Sequence, residues 1–334
     1  MSDLPPAPSA PPDLTATGPI PEISVIIVSW NAYKFLEECL DSLSRGITRS
    51  YEVIVVDNAS KDGSEAMVRK KFPSVQLIQS GSNLGFAKGN NLAFAHARGR
   101  YVCLINSDVN VFPGCVDTLA QYLDQHQDVG MVGPRILNAD RSIQNSCREF
   151  PSLWNKLCTV SNLSRLFPAS PWFSGDEMHW FDHKTERPVD ALVGCFIMTR
   201  RKAVDDFGLL DENFFMYGED IDWGYRCRKA KWRVIFYPGT ESIHYRGASS
   251  NNDPIRFTIE LQRASFQLWA KHRSWLARGL YWCLVFIHTA LRTGQELATA
   301  CLHRRWTPDN RLRYEARKTS LFALFSLNSK DAKR

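Results

Sequence analysis

The chain has 334 residues, 44% of them hydrophobic and 23% charged, which is ordinary for a globular protein able to bury a substantial core. Its nine cysteines are odd in number and never spaced C-x-x-C, which argues against a zinc module or a disulfide framework and fits a reducing cytoplasm. The net charge of +6 is uneven: residues from 271 onward carry thirteen Lys/Arg against four Asp/Glu, a net +9, whereas residues 1–270 carry 28 against 31, or −3.

The opening MSDLPPAPSAPPDLTATGPIPE lacks the cationic start and apolar run of a signal peptide. Its Pro, Ala and Ser content predicts a disordered leader over 1–21. Apolar runs then recur with helical patterns between them. ISVIIV (23–28) precedes an amphipathic segment around Phe35, Leu36, Leu40 and Leu43. YEVIVV (51–56) precedes a helix over 64–72, VQLI (75–78) one over 86–98, and YVCLI (101–105) one over 114–126. Short non-alternating runs separated by helices predict a doubly wound parallel sheet, covered on both faces, for residues 22–135.

Residues 140–188 are rich in Ser, Asn, Pro and Trp without a clear period, and read as a binding loop or lid. VDALVGCFIMTR (189–200) predicts another strand, EDIDWGYRCRKA (219–230) a helix, and WRVIFYP (232–238) a strand ended by Pro238-Gly239. A helix over 255–273 leads into the basic tail. No uninterrupted apolar run reaches the roughly 18–20 residues of a membrane span. The nearest is GLYWCLVFIHTAL (279–291), which contains His288 and is flanked by Arg278 and Arg292. It reads either as a buried core helix or as an interfacial one carrying Tyr281, Trp282 and Phe286. A basic tail of this kind points to a phosphate-rich partner, nucleic acid or an anionic membrane surface.

In doubly wound sheets ligands bind at the carboxyl ends of the strands. Neither G-x-G-x-x-G nor the P-loop pattern occurs in the chain, which sets aside dehydrogenases and P-loop enzymes and weakens a sugar-phosphate nucleotidyltransferase. Strand two ends in VVDNASKDGS. Asp57 stands at its tip, where a carboxylate can accept bonds from a base N–H or a ribose hydroxyl; turn and cap chemistry accounts for Asp62, Gly63 and Ser64. Strand four ends in LINSDV. If that end is extended, Asn106 and Asp108 point the same way and can share a divalent cation that bridges a diphosphate. A plain strand-ending turn is the alternative. In FMYGEDIDWGYRCR, Glu219, Asp220 and Asp222 are either acids favoured at a helix start or a carboxylate held ready to take a proton. Asp222 and Arg226, four apart, predict a helix-surface pair, and Trp223 predicts core packing or an acceptor-site wall.

The motifs SVIIVSWN, VVDNASKDGS, NLGFAKGNN, LINSDV and GCFIMTRRKAVDDFGLLDENFFMYGEDIDWGYRCRKAKW follow one another as they do in glycosyltransferase family 2. Over residues 22–250 the chain resembles that family, most of all its bacterial rhamnosyltransferase-like branch. The resemblance implies a GT-A fold: a doubly wound, mostly parallel sheet flanked by helices, with a nucleotide-sugar half (22–135), an acceptor half (136–250) and a helical, basic extension (251–334). It also implies a nucleotide-sugar donor, a Mg²⁺ or Mn²⁺ ion, and inversion at the anomeric carbon.

Residue by residue, the resemblance places Asp57 on the pyrimidine base, with Ser29, Asn31, Asn58 and Ser60 around the nucleotide. Asn106, Ser107 and Asp108 occupy the D-x-D-type motif, with Asp108 the metal-binding acid and Asn106 standing where many relatives have Asp. Gly85 marks a helix N-terminus suited to a diphosphate, Asn90 faces the donor, and Gly194 packs against the donor sugar. Asp220 is the aligned base beside Glu219. His244 is a second metal ligand or a structural histidine, and Arg246 a phosphate neutraliser. The implied reaction is transfer of L-rhamnose from dTDP-rhamnose to a glycan or polyprenyl-linked acceptor of the cell envelope, at the inner face of the plasma membrane with peripheral contact through the basic extension. A UDP-sugar-dependent transferase (galactofuranosyl or N-acetylhexosaminyl) and a non-catalytic glycan- or nucleotide-binding module are the alternatives. The tail carries no recognisable nucleic-acid-binding motif, so no nucleic-acid partner is expected.

Overall fold

In the computed structural model the described residues are 19–246, 254–302, 311, 314–322 and 324. Residues 1–18 of the expected leader, and much of the basic tail beyond 302, lie outside them.

Strand β1 (Ile23–Ser29) is buried at every position except the half-buried Val28, because both of its faces are covered. It pairs in parallel with β2 (Tyr51–Asp57) and with β4 (Tyr101–Ile105), and β2 pairs with the edge strand β3 (Gln76–Gln79). Alternate residues serve opposite faces. Val25, Ile27, Val53 and Val55 pack under Leu36, Leu40 and Leu43 of α1 (Tyr33–Gly46), Met67 and Val68 of α2 (Ser64–Lys71), and Leu119 of α4 (Cys115–Gln125). Ile26, Ile54 and Val56 face Ala87, Ala93 and Phe94 of α3 (Gly85–Phe94). This is the doubly wound arrangement, and the leucines of α1 at i, i+4 and i+7 form the stripe that holds it.

Eight of the sheet's ten strands follow the order β3-β2-β1-β4-β11 (Phe196–Arg200)-β6 (Val129–Leu137)-β12 (Arg233–His244)-β5 (Val109–Val111). Beyond β4 the sheet is mixed. β11 runs antiparallel between β4 and β6, β12 is parallel to β6, and the short β5 is antiparallel to β12. Two expected boundaries differ. The run 189–200 is broken: β10 (Ala191–Leu192) pairs with β8 (Cys147–Arg148) in a separate two-stranded sheet, and a turn over 193–195 precedes β11. β12 does not stop at Pro238-Gly239. A register shift against β6 between Tyr237 and Glu241 accommodates that pair, and the strand resumes to His244. Proline is tolerated at such bulges because no ladder N–H is required of it there.

The irregular region 140–188 contains β7 (Ile143–Gln144), β9 (Arg187–Pro188), and helices α5 (Leu153–Val160) and α6 (Leu163–Leu166). Ser152 caps α5 by accepting the Asn155 N–H at 3.1 Å. After α7 (Arg201–Phe207) and α8 (Glu219–Lys229), helices α9 (Pro254–His272) and α10 (Trp275–Leu302) close the described fold. α10 packs on α5 and α9, and Tyr281 and Val285 join Trp269 in a local apolar core. Among the described residues no helix is long and apolar enough to cross a membrane.

Asp222 is not the surface residue its spacing predicts. It is fully buried and accepts from Arg226 Nε at 2.8 Å, His272 Nε2 at 2.7 Å and Lys271 Nζ at 2.8 Å, locking α9 onto α8. Burial opposes ionisation of its carboxyl, but His272, Lys271 and Arg226 outweigh it and hold the group down at about 2. Trp223 is core: it is buried between Phe94 and Phe207 and donates its indole N–H to Gly208 O at 2.9 Å.

Candidate active site

The carboxyl ends of β1, β2 and β4 share one edge of the sheet, and the loops after β1 and β2 are laced together there. Asn58 donates its N–H to Ser29 O (2.8 Å), Asn31 to Ser60 Oγ (2.9 Å) and Lys61 to Asn31 Oδ1 (2.8 Å). Asn31 and Ala59 take left-handed conformations, at φ 50° and 61°, to make these turns. The expected set Ser29, Asn31, Asp57, Asn58 and Ser60 is therefore brought together. Asp57 is 2% exposed and accepts the Ser60 N–H at 3.3 Å. Ser29 Oγ and Asn58 Oδ1 are buried with no partner among the described residues. Unpaired buried polar atoms are costly and uncommon in a fold, so these two point to a polar ligand. The turn residues behave as expected: Asp62 accepts from Ser64 N–H and Oγ–H, and also from Tyr33 N–H.

At α3 the geometry differs from the expectation. The Gly85 N–H is donated to Asn83 Oδ1 (3.0 Å) and the Phe86 N–H to Phe215 O (2.7 Å), so both amides are spent within the protein and not offered to a diphosphate. Gly85 serves close approach instead: at φ +80°, a Cβ there would lie 2.2 Å from Phe215 O. Its carbonyl accepts from Asn58 Nδ2 at 3.0 Å. Asn90 is buried and turns its amide back to Phe86 O at 2.9 Å, so that N–H is not offered to a donor.

After β4 the chain makes the strand-ending turn that was the alternative to an extended end. Val109 donates to Asn106 O at 3.2 Å, which places Ser107 and Asp108 at the centre of a β-turn. The grouping of residues survives by another route, because β12 carries His244 in register with Val109. His244 Nε2 lies 3.2 Å from Asp108 Oδ1, and its Nδ1 is 2.7 Å from Oε1 of the buried Gln144. Burial alone would lower the imidazole pKa. Cys195 and the Asp108 carboxylate beside the ring reverse this and raise it to about 10. Gln144 was not singled out from the sequence, since it lies in the region without a period; it orients the ring in the manner of an outer-shell ligand partner.

The residues here fit a divalent cation in a limited way. Asn106 Oδ1 is a buried oxygen with no partner among the described residues, in the same turn as Asp108. A carboxylate, an amide oxygen and an imidazole suit a hard ion whose remaining positions are filled by phosphate oxygens and water. Among the described residues no group of three His, Cys, Asp or Glu side chains would hold an ion alone.

The acceptor-side acids stand at the start of α8. Tyr217 and Gly218, at φ 70° and 78°, make a left-handed two-residue turn into the helix, and such strain in a bulky residue is typical of functional sites. Glu219 is 4% exposed, and its Oε2 has no partner among the described residues. Burial pushes this carboxyl well above the usual range, and the nearby charges of Asp220 and Asp222 add to the effect. Asp220 is half-buried and anchored at both oxygens, Oδ2 accepting from Gly194 N–H at 2.9 Å and Oδ1 from Ile221 N–H at 2.8 Å. Burial raises its pKa too, but these two amides and the charge of Arg148 hold part of the rise back. Of the two acids, Asp220 is the one equipped to be a carboxylate. Arg148, in β8, also went unnoticed in the sequence because no periodic pattern surrounds it.

The 193–195 turn links the two groups. Gly194 holds Asp220, Cys195 O accepts the Asn106 N–H at 2.9 Å, and Cys195 lies beside His244. A Cβ at Gly194 would meet Phe86 at 3.4 Å and Asp220 at 3.5 Å, ordinary van der Waals contact.

Comparison with known proteins adds an independent finding. The model of the family described as Glycosyl transferase family 2 matches residues 24–208. The N-acetylglucosaminyl-diphospho-decaprenol L-rhamnosyltransferase of Mycobacterium tuberculosis is 30% identical over 274 residues, covering 78% of this chain and 89% of that protein. The low-salt glycan biosynthesis hexosyltransferase Agl10 of Haloferax volcanii is 28% identical over 227 residues, 67% of each chain. Among solved structures, the mannosyltransferase PcManGT of Pyrobaculum calidifontis in complex with GDP-Man and Mn²⁺ superposes with a TM-score of 0.50. The two are 20% identical, and the match covers 93% of this chain and 88% of that one. GalNAc-T7 with UDP, GalNAc and Mn²⁺ gives 0.52 at 13% identity, covering 75% and 50%. These two likenesses concern the fold.

Proposed function

This chain belongs to glycosyl transferase family 2 and is a glycosyltransferase, and from that premise we propose an inverting transfer in which Asp220 is the general base. The observation that carries the proposal is the double anchoring of Asp220 by Gly194 and Ile221. It fixes a carboxylate one turn away from the Asp108–His244 pair, since Gly194 holds Asp220 and the adjoining Cys195 O accepts the Asn106 N–H.

In this reading Asp57, Ser29 and Asn58 bind the nucleotide, with Ser29 Oγ and Asn58 Oδ1, which have no partner among the described residues, accepting from base and ribose. Asp108, with Asn106 and His244, would hold a Mg²⁺ or Mn²⁺ ion, which when bound offsets the charge developing on the departing diphosphate. Asp220 takes the proton of the acceptor hydroxyl as that oxygen attacks the anomeric carbon from the face opposite the leaving group. Glu219, neutral in its buried position, keeps a second negative charge away from the base. The His244 ring is held by Gln144 and Asp108, so ligation through Nε2 requires loss of the proton it shares with Asp108.

We propose L-rhamnose carried on dTDP as the donor and a glycan intermediate on a polyprenyl diphosphate as the acceptor, at the inner face of the plasma membrane. The support is the mycobacterial relative, whose name specifies a rhamnosyl transfer to a diphospho-decaprenol acceptor. Assay of the purified full chain against a panel of nucleotide sugars, with and without Mn²⁺, tests this reading. Turnover of dTDP-rhamnose alone supports it; turnover of UDP-sugars only replaces the donor, and binding without turnover of any sugar overturns catalysis.

A further inference from the structure

Arg148 of β8 stands over the same side of α8 as Asp220. β8 runs antiparallel to β10 with Arg148 opposite Ala191, and beside them Val193 N–H donates to Ser146 O at 2.9 Å. Residues directly opposite in such a ladder carry their side chains on one face. Ala191 turns that face to α8, since a Cβ added at Gly224 would lie 2.8 Å from the Ala191 Cβ. Gly224 follows Asp220 by one helical turn, so the two line one side of the helix. The strand that Arg148 pairs with leads on to Gly194, whose N–H holds Asp220.

The guanidinium is half-buried, and one of its edges is unspent. Nη1 donates to Cys147 O at 3.0 Å and to Asn145 O at 3.4 Å, whereas Nε and Nη2 have no partner among the described residues. The charge of Arg148 reaches three groups without pairing with any of them. Burial raises the Asp220 and Asp176 carboxyls and Arg148 opposes the rise; burial lowers the His183 imidazole and Arg148 adds to the fall. Asp176 is shared with Lys156 of α5, and Glu149, next in sequence, answers to Arg187. The loop carrying Asp176 is tied to β8 through its carbonyl, which accepts the Glu149 N–H at 2.9 Å. In that loop Ser174 Oγ is 2% exposed and has no partner among the described residues. A guanidinium edge and a buried hydroxyl left unpaired in adjoining segments are groups that an anion with several oxygens satisfies.

We infer that Arg148 binds the diphosphate of the acceptor, its free Nε and Nη2 edge meeting phosphate oxygens in bidentate fashion. The inference rests on the polyprenyl-diphosphate acceptor and the Asp220 base proposed above. Where the accepting sugar bears the diphosphate itself, one sugar ring separates the hydroxyl that meets the base from the phosphate. The cation for that phosphate must therefore stand near the base without pairing with it, and this is how Arg148 is placed. A guanidinium serves this purpose better than an ammonium because its fork matches two phosphate oxygens at once. The donor's diphosphate has the same chemistry, but in the reading above it is met on the Asn106, Asp108 and His244 side.

The test is calorimetric titration of the full chain in Mn²⁺, first with dTDP and then, at saturating dTDP, with farnesyl diphosphate. The second probe carries a prenyl diphosphate and requires no turnover. Wild type is expected to bind both. Arg148→Gln is expected to keep the dTDP dissociation constant within about twofold, which also reports an intact fold, and to weaken farnesyl diphosphate roughly tenfold or more. Arg148→Lys keeps the charge without the fork and is expected to fall between them; it carries the comparison if Arg148→Gln does not fold. Equal farnesyl diphosphate affinity in wild type and variants overturns the inference, as does wild type that fails to bind it. A loss confined to dTDP gives the guanidinium to the donor and overturns it as well. Arg148-dependent binding in a chain that turns over no nucleotide sugar keeps this subsite and removes the proposed transfer.

Discussion

The backbone N–H of Gly194 points at Oδ2 of Asp220 from 2.9 Å, across 26 positions of sequence. A turn between two strands thereby fixes the orientation of a carboxylate at a helix start. Because burial raises the Asp220 pKa, the base must lose its proton at a higher pH than an ordinary aspartate. The activity carried by the ionised form is therefore lost as pH falls through this raised value. The acid limb of kcat/KM is expected to lie above the reference value of about 3.9 for Asp. A limb at or below that value in a pH–rate profile contradicts the assignment.

Glu219 is expected to be dispensable as a charge. Its carboxyl is pushed well above the usual range by burial, so Glu219→Gln replaces a neutral acid by a neutral amide of the same shape. Turnover is expected to stay within roughly threefold of wild type, about 0.7 kcal/mol. A loss on the order of 10²-fold or more in steady-state kcat assigns the proton transfer to Glu219 and removes it from Asp220.

Gly85 joins the donor-side helix to the acceptor-side loop. Gly85→Ala combines a left-handed φ with a Cβ placed 2.2 Å from Phe215 O. The variant is expected to lose about 1–3 kcal/mol of stability in chemical denaturation, and to lose turnover as the segment leading to Asp220 is displaced. Unchanged stability and activity would show that the two segments do not depend on this contact.

Asp222 supplies the pH dependence of stability. Its folded pKa of about 2 lies below the ordinary value of 3.8. Its contribution is fully present above about pH 4 and is lost as pH falls toward 2, amounting to about 2 kcal/mol. Asp222→Ala leaves Arg226, Lys271 and His272 without their common acceptor and is expected to cost about 3–5 kcal/mol at neutral pH. A stability difference between wild type and variant that shrinks by about 2 kcal/mol as pH falls from about 4 to about 2 fits this; denaturant midpoints that already agree at pH 7 contradict it.

Much of the fold was legible because β1, β2 and β4 are apolar without alternation and the leucines of α1 repeat at helical spacing. Both patterns report burial directly. The places that were missed are those where tertiary contacts decide. Pro238-Gly239 reads as a strand end, yet neighbouring β6 carries β12 past it through a register shift. Asp222 and Arg226 read as a surface pair because the sequence does not reveal α9 lying over them. At the site, the types and order of Asp57, Asp108, Asp220 and His244 were readable from motifs. The adjacency of Asp108 and His244 was not, since it depends on β5 and β12 pairing across more than a hundred residues. Gln144 and Arg148 had no local signal at all.

The most direct test of the account is Asp220→Asn, measured for donor binding and for turnover in one preparation. The amide keeps the shape and an oxygen to accept from Gly194, but cannot take a proton. The account predicts a dTDP-rhamnose dissociation constant within about threefold of wild type, and a kcat lower by roughly 10²–10⁴-fold. Wild-type turnover in Asp220→Asn would contradict it.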